Sequence, residues 1–268
     1  LPAEAEQLGV TVIPLNVTLE DGTVLRDGVD MTPTVYYGVM ARCHKLPTTS
    51  QPSPELFQRF FLEAAAAGDE VVGIFLSHEL SGTCQCARLA ADMANVDNVL
   101  FVDSENVCLG ESLLVRLAVQ LRDAGKTAGQ IAATLEHAKE HLHLVAVIDD
   151  LKYLRRGGRI SAAAQVAGSL LKIKPILQSD PEGHIIQHSK VRGQLKAMET
   201  LAELYKEYAV DGTRTVGIAH ADCPDGALRL QAKLRDAGQT GEILSVCYEP
   251  VTGGHVGPGT VALFFFGE

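Results

Sequence analysis

The sequence VVGIFLSHELSGT, at residues 71–83, joins an apolar strand to a hydroxyl-rich loop and then to the start of a helix. A helix start presents unpaired backbone N–H groups and the positive end of the helix dipole, which together attract an anionic oxygen. Ser81 and Thr83 add two hydroxyl groups there, and Gly82 has no side chain to keep a ligand away. The stretch therefore predicts an α/β fold with an anion site between this strand and this helix.

The residues of this loop indicate which kind of anion could bind there. No lysine follows Gly82, whereas the loop that binds nucleoside triphosphates has the pattern G-x-x-x-x-G-K-[ST]. A carboxylate or a single phosphate therefore fits better than a polyphosphate. The structural alternative is that Ser81 serves only as the N-cap of the helix, since serine is a preferred cap.

The bulk composition is that of a globular chain with an uneven charge. The 268 residues are 46% hydrophobic and 21% charged, which suits a sizeable core in one or two domains. The net charge of −10 argues against a nucleic-acid-binding protein. Residues 151–198, however, carry nine basic and two acidic side chains. This basic segment favours either a surface for an acidic partner or phosphate, or a solvated face whose charges balance locally.

Cysteine spacing and hydropathy give no sign of a metal centre, a membrane span or a secretory leader. No CxxC pair and no cluster of metal ligands stands out, so we expect no metal and no cofactor. No apolar run approaches the length of a membrane helix. We therefore expect a cytoplasmic protein with reduced thiols at its six cysteines, which are Cys43, Cys84, Cys86, Cys108, Cys223 and Cys247.

Strands and helices alternate through the middle of the chain. The apolar patterns predict strands at 71–76, 99–103 and 143–149, and helices at 81–95, 110–124 and 127–141. Such alternation is typical of a parallel sheet covered by helices. Past residue 150 the pattern changes, so we predict two domains. These are an N-terminal parallel-sheet, three-layer α/β domain at 1–152 and a C-terminal mixed or antiparallel α/β domain at 153–268.

Turn and cap residues predict the remaining elements. Asp21-Gly22 ends a strand at 10–20 with a hairpin turn, and Thr32-Pro33 and Ser53-Pro54 each open a helix. In the C-terminal part we predict helices at about 149–156, 160–171 and 193–209, a hairpin of 173–177 with 185–188, and strands at 214–219, 242–248 and 260–266.

Three further loops carry candidate binding residues. The loop LPTTSQPSP at 46–54 is stiffened by three prolines and can hold a hydroxyl in place. The segment LRRGGRIS at 154–161 indicates a junction at which one helix ends on Gly157, in the C′ position. The segment GGHVGPG at 253–259 places His255 in a glycine-rich turn, where a ligand can approach closely. A rigid turn with an incidental exposed histidine is the structural alternative.

Ser81 and His255 also raise the possibility of a serine hydrolase acting on acyl esters. Such an enzyme needs the histidine within hydrogen-bond reach of the serine. The G-x-S-x-G elbow is absent, because Ser81 follows Leu80 and precedes a single glycine. The hydrolase is therefore the alternative function and not the first choice.

Taken together, these segments resemble the DegV family, bacterial fatty-acid-binding proteins that act as the B subunit of fatty acid kinase. The similarity spans nearly the whole chain in the family's order. The matching stretches are LPTTSQPSP (46–54), SHELSGT (77–83), VDS (102–104), LKYLRRGGRIS (151–161), KVRG (190–193) and HVGPG (255–259).

The resemblance implies a DegV-like two-domain fold in which a long acyl chain is buried within or between the domains. The family holds the fatty-acid carboxylate with the S-G-T serine, a threonine of the T-S-Q-P loop and the late histidine. These match Ser81, Thr49 and His255, with Gly82 beside the serine. Arg192 matches an arginine that works with this histidine, so the resemblance gives Arg192 and His255 a supporting role in phosphoryl transfer.

The resemblance also implies that a separate kinase subunit binds ATP and phosphorylates the bound fatty acid. The protein is then a substrate-binding, non-catalytic subunit in phospholipid metabolism, and we expect the kinase to dock at Arg155, Arg156 and Arg159. Family members open with a strand that ends in Asp-Ser a few residues before a Leu-Pro pair. We expect that strand to precede Leu1-Pro2. A third candidate function is a sugar- or ketone-phosphate enzyme resembling dihydroxyacetone kinases.

Overall fold

The computed structural model describes residues 2–160 and 173–268 of the chain. Helices begin where the cap residues predict, since Thr32 and Ser53 accept hydrogen bonds from the backbone N–H groups of Val35 and Leu56. The helices are α1 (Pro2–Gln7), α2 (Pro33–Met40), α3 (Pro54–Ala67), α4 (Thr83–Ala94), α5 (Leu109–Asp123), α6 (Ala128–Ala138), α7 (Lys152–Gly157), α8 (Gln194–Tyr208), α9 (Pro224–Asp236) and α10 (Pro250–Val256).

Short strands alternate with these helices and confirm a mixed α/β fold. A single 3₁₀ turn, Lys139–His141, leads from α6 into β6. The strands are β1 (Asn16–Thr18), β2 (Val24–Arg26), β3 (Thr48–Ser50), β4 (Val71–Phe75), β5 (Val99–Asp103), β6 (Leu142–Val147), β7 (Ile173–Ser179), β8 (Ile185–Arg192), β9 (Val216–His220), β10 (Ile243–Cys247) and β11 (Val261–Phe266).

The strands of the described residues form three sheets. The largest has the order β10-β9-β11-β6-β7-β8, in which only β9 and β10 are parallel neighbours. A small antiparallel sheet has β1 between β2 and β3, and the expected hairpin at Asp21-Gly22 joins β1 to β2. β4 and β5 form a parallel pair, as the strand–helix alternation predicts.

One predicted strand belongs to a different sheet. The prediction that 143–149 extends the parallel sheet is wrong, because β6 pairs antiparallel with β11 on one side and with β7 on the other. A strand that is buried on both faces is apolar throughout, so its sequence has no alternation of apolar and polar residues from which its neighbours in a sheet could be predicted. The predicted division at 152/153 lies between β6 and the two strands with which it pairs, and the domain bounds stay a prediction.

β6 contributes its two faces to two different cores. Leu144, Ala146 and Ile148 belong to the core that also contains α5 and α6, while Val145 and Val147 pack in the core covered by α8 and α9. A third core joins α3, α4, β4 and β5, where Phe57, Phe61, Phe75 and Phe101 contact one another and Cys84 and Cys86 are buried. The six-stranded sheet therefore separates two hydrophobic cores, one on each of its faces.

Three helices depart from the predictions. α1 and α9 were not predicted, and α10 replaces the first part of the expected glycine-rich turn around His255. The predicted helix at 160–171 falls outside the described residues, apart from Ile160. Within the described ranges, no helix combines the length and the hydropathy that crossing a membrane requires.

Candidate functional site

A cavity of about 330 Å³ lies where the small sheet, the loop before α4, the six-stranded sheet and α10 meet. Its walls are mainly apolar, and a few polar side chains join them, which is the usual make-up of a small-molecule site. The lining residues are Leu15, Thr49, Ser50, Gln51, Leu76, Leu80, Ser81, Gly82, Val107, Leu144, Ala146, Ile148, Leu154, Leu177, Ile185, Tyr248, Val251, Thr252, Val256 and Thr260, together with Arg159 and His255.

Thr49 and His255 meet in this cavity although 206 positions separate them in the sequence. The Oγ1 atom of Thr49 lies 2.8 Å from Nε2 of His255, a hydrogen-bond distance. Thr49 is held by β3, whose partner Val17 in β1 is buried. The pairing of these two short strands therefore brings the T-S-Q-P loop to the end of α10.

The glycines before His255, Gly253 and Gly254, serve close packing of a helix, which corrects the sequence interpretation for this half of the segment, whereas Gly257 and Gly259 follow the helix with positive φ angles. A Cβ atom at Gly253 would clash with the hydroxyl of Tyr37, and one at Gly254 would clash with the hydroxyl of Tyr36. Both tyrosines belong to α2 and are buried. Glycine lets α10 approach α2 closely, and this fixes the direction in which His255 points.

Gly157 makes room for the imidazole in the same way. A Cβ atom at Gly157 would overlap Nδ1 of His255. The prediction that Gly157 is the C′ residue of its helix is wrong, since Gly157 is the last helical residue and Gly158 is the cap, with a φ of 71°. The two glycines thus have different roles: Gly157 leaves space for the His255 ring, and Gly158 ends α7.

His255 is a neutral base at physiological pH. Its pKa falls to about 4, first because the ring is buried and then because the Arg159 and Arg156 guanidinium groups are close. A neutral imidazole has one donor and one acceptor nitrogen. His255 can therefore donate to an anionic oxygen while the neighbouring arginines supply positive charge.

Ser81 is not the N-cap of α4, so the structural alternative for this residue is wrong. Gly82 occupies the cap position, and no side chain caps the helix. The Ser81 hydroxyl lies 2.8 Å from Oγ1 of Thr83, at the wall of the cavity. Ser81 therefore keeps a hydroxyl next to uncapped backbone N–H groups, as an anion site requires.

The contacts of Ser81 and His255 do not form a hydrolase pair. The serine shares its hydrogen bond with Thr83, and Nε2 of the histidine shares its own with Thr49. A serine nucleophile needs a direct hydrogen bond to its base. The site instead resembles a set of parallel donors for a single ligand.

The three arginines expected at the partner surface lie in three different settings. Arg159 lines the cavity, and its Nε donates to the carbonyl oxygen of Leu80 at 3.0 Å, just before Ser81. Arg156 donates from Nη2 to the carbonyl of Pro47 at 3.0 Å and so connects α7 to the loop before Thr49. Arg155 is exposed and takes part in an interaction of its own.

Arg192 is set apart from the cavity. It is the last residue of β8, it is exposed, and it pairs across the strands with Ile173. It is not one of the lining residues. The structure thus brings Thr49, Ser81, Gly82 and His255 together and leaves Arg192 outside this group.

Several lining residues were not predicted from the sequence. Gln51 follows Thr49 in the same loop, and its Oε1 lies so near Gly82 that a Cβ atom there would sit 2.8 Å away. Thr252 and Thr260 line the cavity from either side of His255, and Thr260 is fully buried. The signal for Gln51 and Thr252 was their closeness in sequence to Thr49 and His255.

Two groups of possible metal ligands occur in the described residues, both away from the cavity lining. His137, Glu140 and His141 form one exposed group, and Asp180, Glu182 and His184 form the other. In the second group, the histidine already contacts two carboxylates, those of Asp180 and Glu79. These contacts make it part of a hydrogen-bonding network between two loops.

The fold and the cavity define an α/β protein with a largely apolar ligand site that ends on hydroxyl, imidazole and guanidinium groups. Comparison with known proteins agrees over the whole length. Residues 1–268 match the family described as "Uncharacterised protein, DegV family". The chain belongs to the DegV family, as the sequence resemblance predicted.

Relatives in several bacteria are similar over nearly their full length. A DegV domain-containing protein of Halalkalibacterium halodurans is 35% identical, with 100% of this chain and 94% of the relative aligned. A DegV domain-containing protein of Deinococcus radiodurans is 34% identical over 98% of this chain and 92% of the relative.

Solved structures of the family have the same fold. A DegV family protein from Thermus thermophilus, described for its fatty acid binding, has a TM-score of 0.92 at 32% identity, covering 100% of this chain and 96% of that one. DegV of Bacillus subtilis, a fatty acid binding protein, has a TM-score of 0.88 at 30% identity, covering 100% and 95%. These values confirm the predicted fold class.

Proposed function

We propose that this protein binds a long-chain fatty acid in the cavity and presents its carboxylate to a separate ATP-dependent kinase subunit, which forms the acyl phosphate. One observation carries the proposal. An apolar cavity of about 330 Å³ includes Ser81, the Thr49–His255 pair and Arg159 in its wall. A ligand with an apolar body and an anionic group uses both kinds of lining.

The energetics of such a ligand are favourable. Burial of an alkyl chain contributes about 0.8 kcal/mol for each CH₂ group. Burying a carboxylate is costly unless hydrogen bonds compensate for the lost water. The hydroxyls of Ser81 and Thr49, the N–H groups at the start of α4 and the neutral ring of His255 offer that compensation. Fatty acid binding by the similar Thermus thermophilus and Bacillus subtilis proteins supports the same assignment.

Transfer of phosphate would need a partner. The sequence has no nucleoside-triphosphate loop of the G-x-x-x-x-G-K-[ST] type, so a second subunit would supply ATP. Exposed basic residues such as Arg155 and Arg192 lie on the segment with the positive excess and suit an acidic partner surface. In this proposal Arg192 and His255 stabilise negative charge during transfer, and the binding subunit performs no reaction alone.

The first test is to identify the ligand. Protein purified without detergent is denatured, extracted with organic solvent and analysed by gas chromatography, and native mass spectrometry gives the stoichiometry. We expect about one long-chain fatty acid per chain, since the buried alkyl groups retain it. Recovery of no acyl species, together with no binding of added palmitate or oleate by the protein, would exclude the proposal.

The second test separates binding from presentation. Arg192→Ala should leave palmitate affinity unchanged, because Arg192 does not line the cavity, and should lower acyl-phosphate formation with the cognate kinase. Arg229→Ala, at an exposed arginine of α9, is the matched control and should match the wild type in both assays. An Arg192 variant with wild-type transfer rates would remove this residue from the proposal.

A further inference from the structure

Asp27 makes an unusual long-range contact with the helix that carries His255. Its Oδ1 accepts a hydrogen bond of 2.9 Å from the backbone N–H of Val251, in the first turn of α10, across 224 positions of sequence. The side chain of the N-cap residue, Glu249, makes no capping hydrogen bond to this end of the helix. A seven-residue helix has little stability of its own, so an external acceptor for its first N–H groups matters.

The small sheet therefore contacts α10 at both ends. Asp27 follows β2, and its own N–H donates to the carbonyl of Leu15, immediately before β1. β1 pairs with β3, which holds Thr49 against Nε2 of His255. Asp27 fixes the start of the helix and Thr49 contacts its last turn, with the same three strands supporting both.

The surroundings of Asp27 suit a fixed acceptor. Burial is the main cause that raises the pKa of Asp27 to about 7, and the nearby Glu249 carboxylate raises it further. The backbone hydrogen bond from Val251 acts in the opposite direction and lowers it. Neutral and ionised forms of the side chain therefore coexist near pH 7. A carbonyl oxygen in the same place, as in asparagine, reproduces the acceptor without the charge.

We infer that Asp27 is a positioning residue for the ligand site: its acceptor oxygen anchors the start of α10 and thereby keeps His255 in register with Thr49. Asp27 does not line the cavity and so acts through the helix. The expected loss of ligand affinity rests on the proposed function. The expected effect on the position of His255 does not depend on any ligand.

Four full-length variants test the inference. Asp27→Ala removes the acceptor, Asp27→Asn keeps it, and Asp27→Glu keeps the carboxylate but moves it by one methylene. Thr127→Ala removes the cap of α6, where Thr127 accepts from Gln130 in a capping box remote from the cavity lining. This control loses a helix cap of similar worth without affecting α10.

Two readouts are measured on delipidated protein. The first is the ¹⁵N chemical shift and pH titration of the His255 imidazole, assigned by loss of the signal in His255→Gln. The second is the affinity for palmitate, from displacement of the fluorescent fatty acid cis-parinarate. We expect Asp27→Ala to raise the pKa of His255 towards that of an exposed imidazole and to weaken palmitate binding about tenfold, the equivalent of one lost cap.

The other variants make the result decisive. Asp27→Asn should keep both properties within about twofold of the wild type, and Asp27→Glu should resemble Asp27→Ala. If Asp27→Ala does not fold, the contrast between the Asn and Glu variants decides. A wild-type His255 titration in Asp27→Glu, or an equal loss of affinity in Thr127→Ala, would overturn the inference. Failure of the wild type to bind any fatty acid would overturn the proposed function instead, because the His255 titration is read without ligand.

Discussion

At the scale of single residues, the neutral ring of His255 governs how the site meets an anion. Two arginines near a histidine would repel an imidazolium, and burial acts in the same direction, so the ring stays uncharged. A bound carboxylate would replace part of that repulsion with attraction. The arginines thus supply the positive charge of the site, and the neutral imidazole of His255 can either donate or accept a hydrogen bond.

The pKa of His255 gives a direct prediction. In Arg159→Gln the pKa should rise from about 4 but stay below 6.5, since the burial that causes most of the shift remains. Histidine NMR titration of delipidated protein measures this, with Arg229→Gln as a control that should have no effect. Because the folded-state pKa lies below the unfolded value, the stability from the neutral ring is complete above pH 6.5 and is lost as the pH falls towards 4.

Ser81 gives the second prediction at this scale. Ser81→Ala should weaken palmitate binding by roughly 1–3 kcal/mol, the usual effect of removing a donor from a charged acceptor. Global stability should change little, since the hydroxyl does not cap α4. Displacement of a fluorescent fatty acid measures affinity, and Ser245→Ala, at an exposed serine of β10, is the control. Equal affinities for the two variants would mean that Ser81 does not contact the ligand.

At the scale of elements, the meeting of α7 with α10 shapes the site more than either helix alone. Gly157 is helical, so alanine there would normally stabilise the helix by up to about 1 kcal/mol. Its Cβ atom, however, would occupy the position of the His255 ring. Intrinsic helix preference and site geometry therefore favour different residues at one position.

Gly157→Ala should accordingly lose fatty acid affinity even if α7 becomes a better helix. We expect displacement of the imidazole to break the Thr49–His255 hydrogen bond and to weaken palmitate binding by about 1–2 kcal/mol. Gly129→Ala in α6 is the matched control, because no atom lies near its added Cβ, and it should gain stability with unchanged affinity. Denaturant unfolding and ligand titration of both variants measure the two effects.

The elements also mark the limit of what the sequence predicts. Caps and turns located α2, α3 and the β1–β2 hairpin, because their signals lie within a few residues of each other. The partners of β6 and the helical state of residues 250–256 depend instead on distant packing. Glycine at 253 and 254 reads as a turn by local preference, and only contact with the α2 tyrosines makes it part of a helix.

The same limit applies to the site. The family motifs named Thr49, Ser81, Gly82 and His255 as ligand residues, and all four line one cavity. Arg159 was expected on a partner surface, since an arginine within a basic run gives no local sign of facing inward. Its inward position follows from the turn at Gly158, which directs the chain back towards Leu80.

At the scale of the whole molecule, the cavity is lined by parts of the chain that are far apart in sequence. A ligand that contacts the small sheet, the loop before α4 and the six-stranded sheet connects all of them. Binding to the folded state alone then raises stability by about 2.7 kcal/mol at a ligand concentration one hundred times Kd. Under the proposed function, the bound fatty acid would therefore be a structural part of the protein.

Thermal unfolding tests this connection. Palmitate should raise the Tm of delipidated wild-type protein, and Ala146→Leu should reduce the rise, because Ala146 is a small residue in the cavity wall on β6. Val145→Ile, which adds bulk on the opposite face of the same strand, should keep the wild-type response. Calorimetry with and without palmitate gives the result, and an equal rise for both variants would place the acyl chain elsewhere.

The two-faced strand β6 has a consequence for how such a protein can diversify. Successive side chains of a strand point to opposite sides, so deleting or inserting one residue in β6 would exchange its two sets of neighbours. Leu144 and Ala146 would enter the core beneath α8, and Val145 and Val147 would face the cavity. An insertion or deletion in this strand would therefore disturb both cores and cannot adapt the site to a new ligand. Substitution at every second position can instead reshape the cavity and leave the opposite core intact.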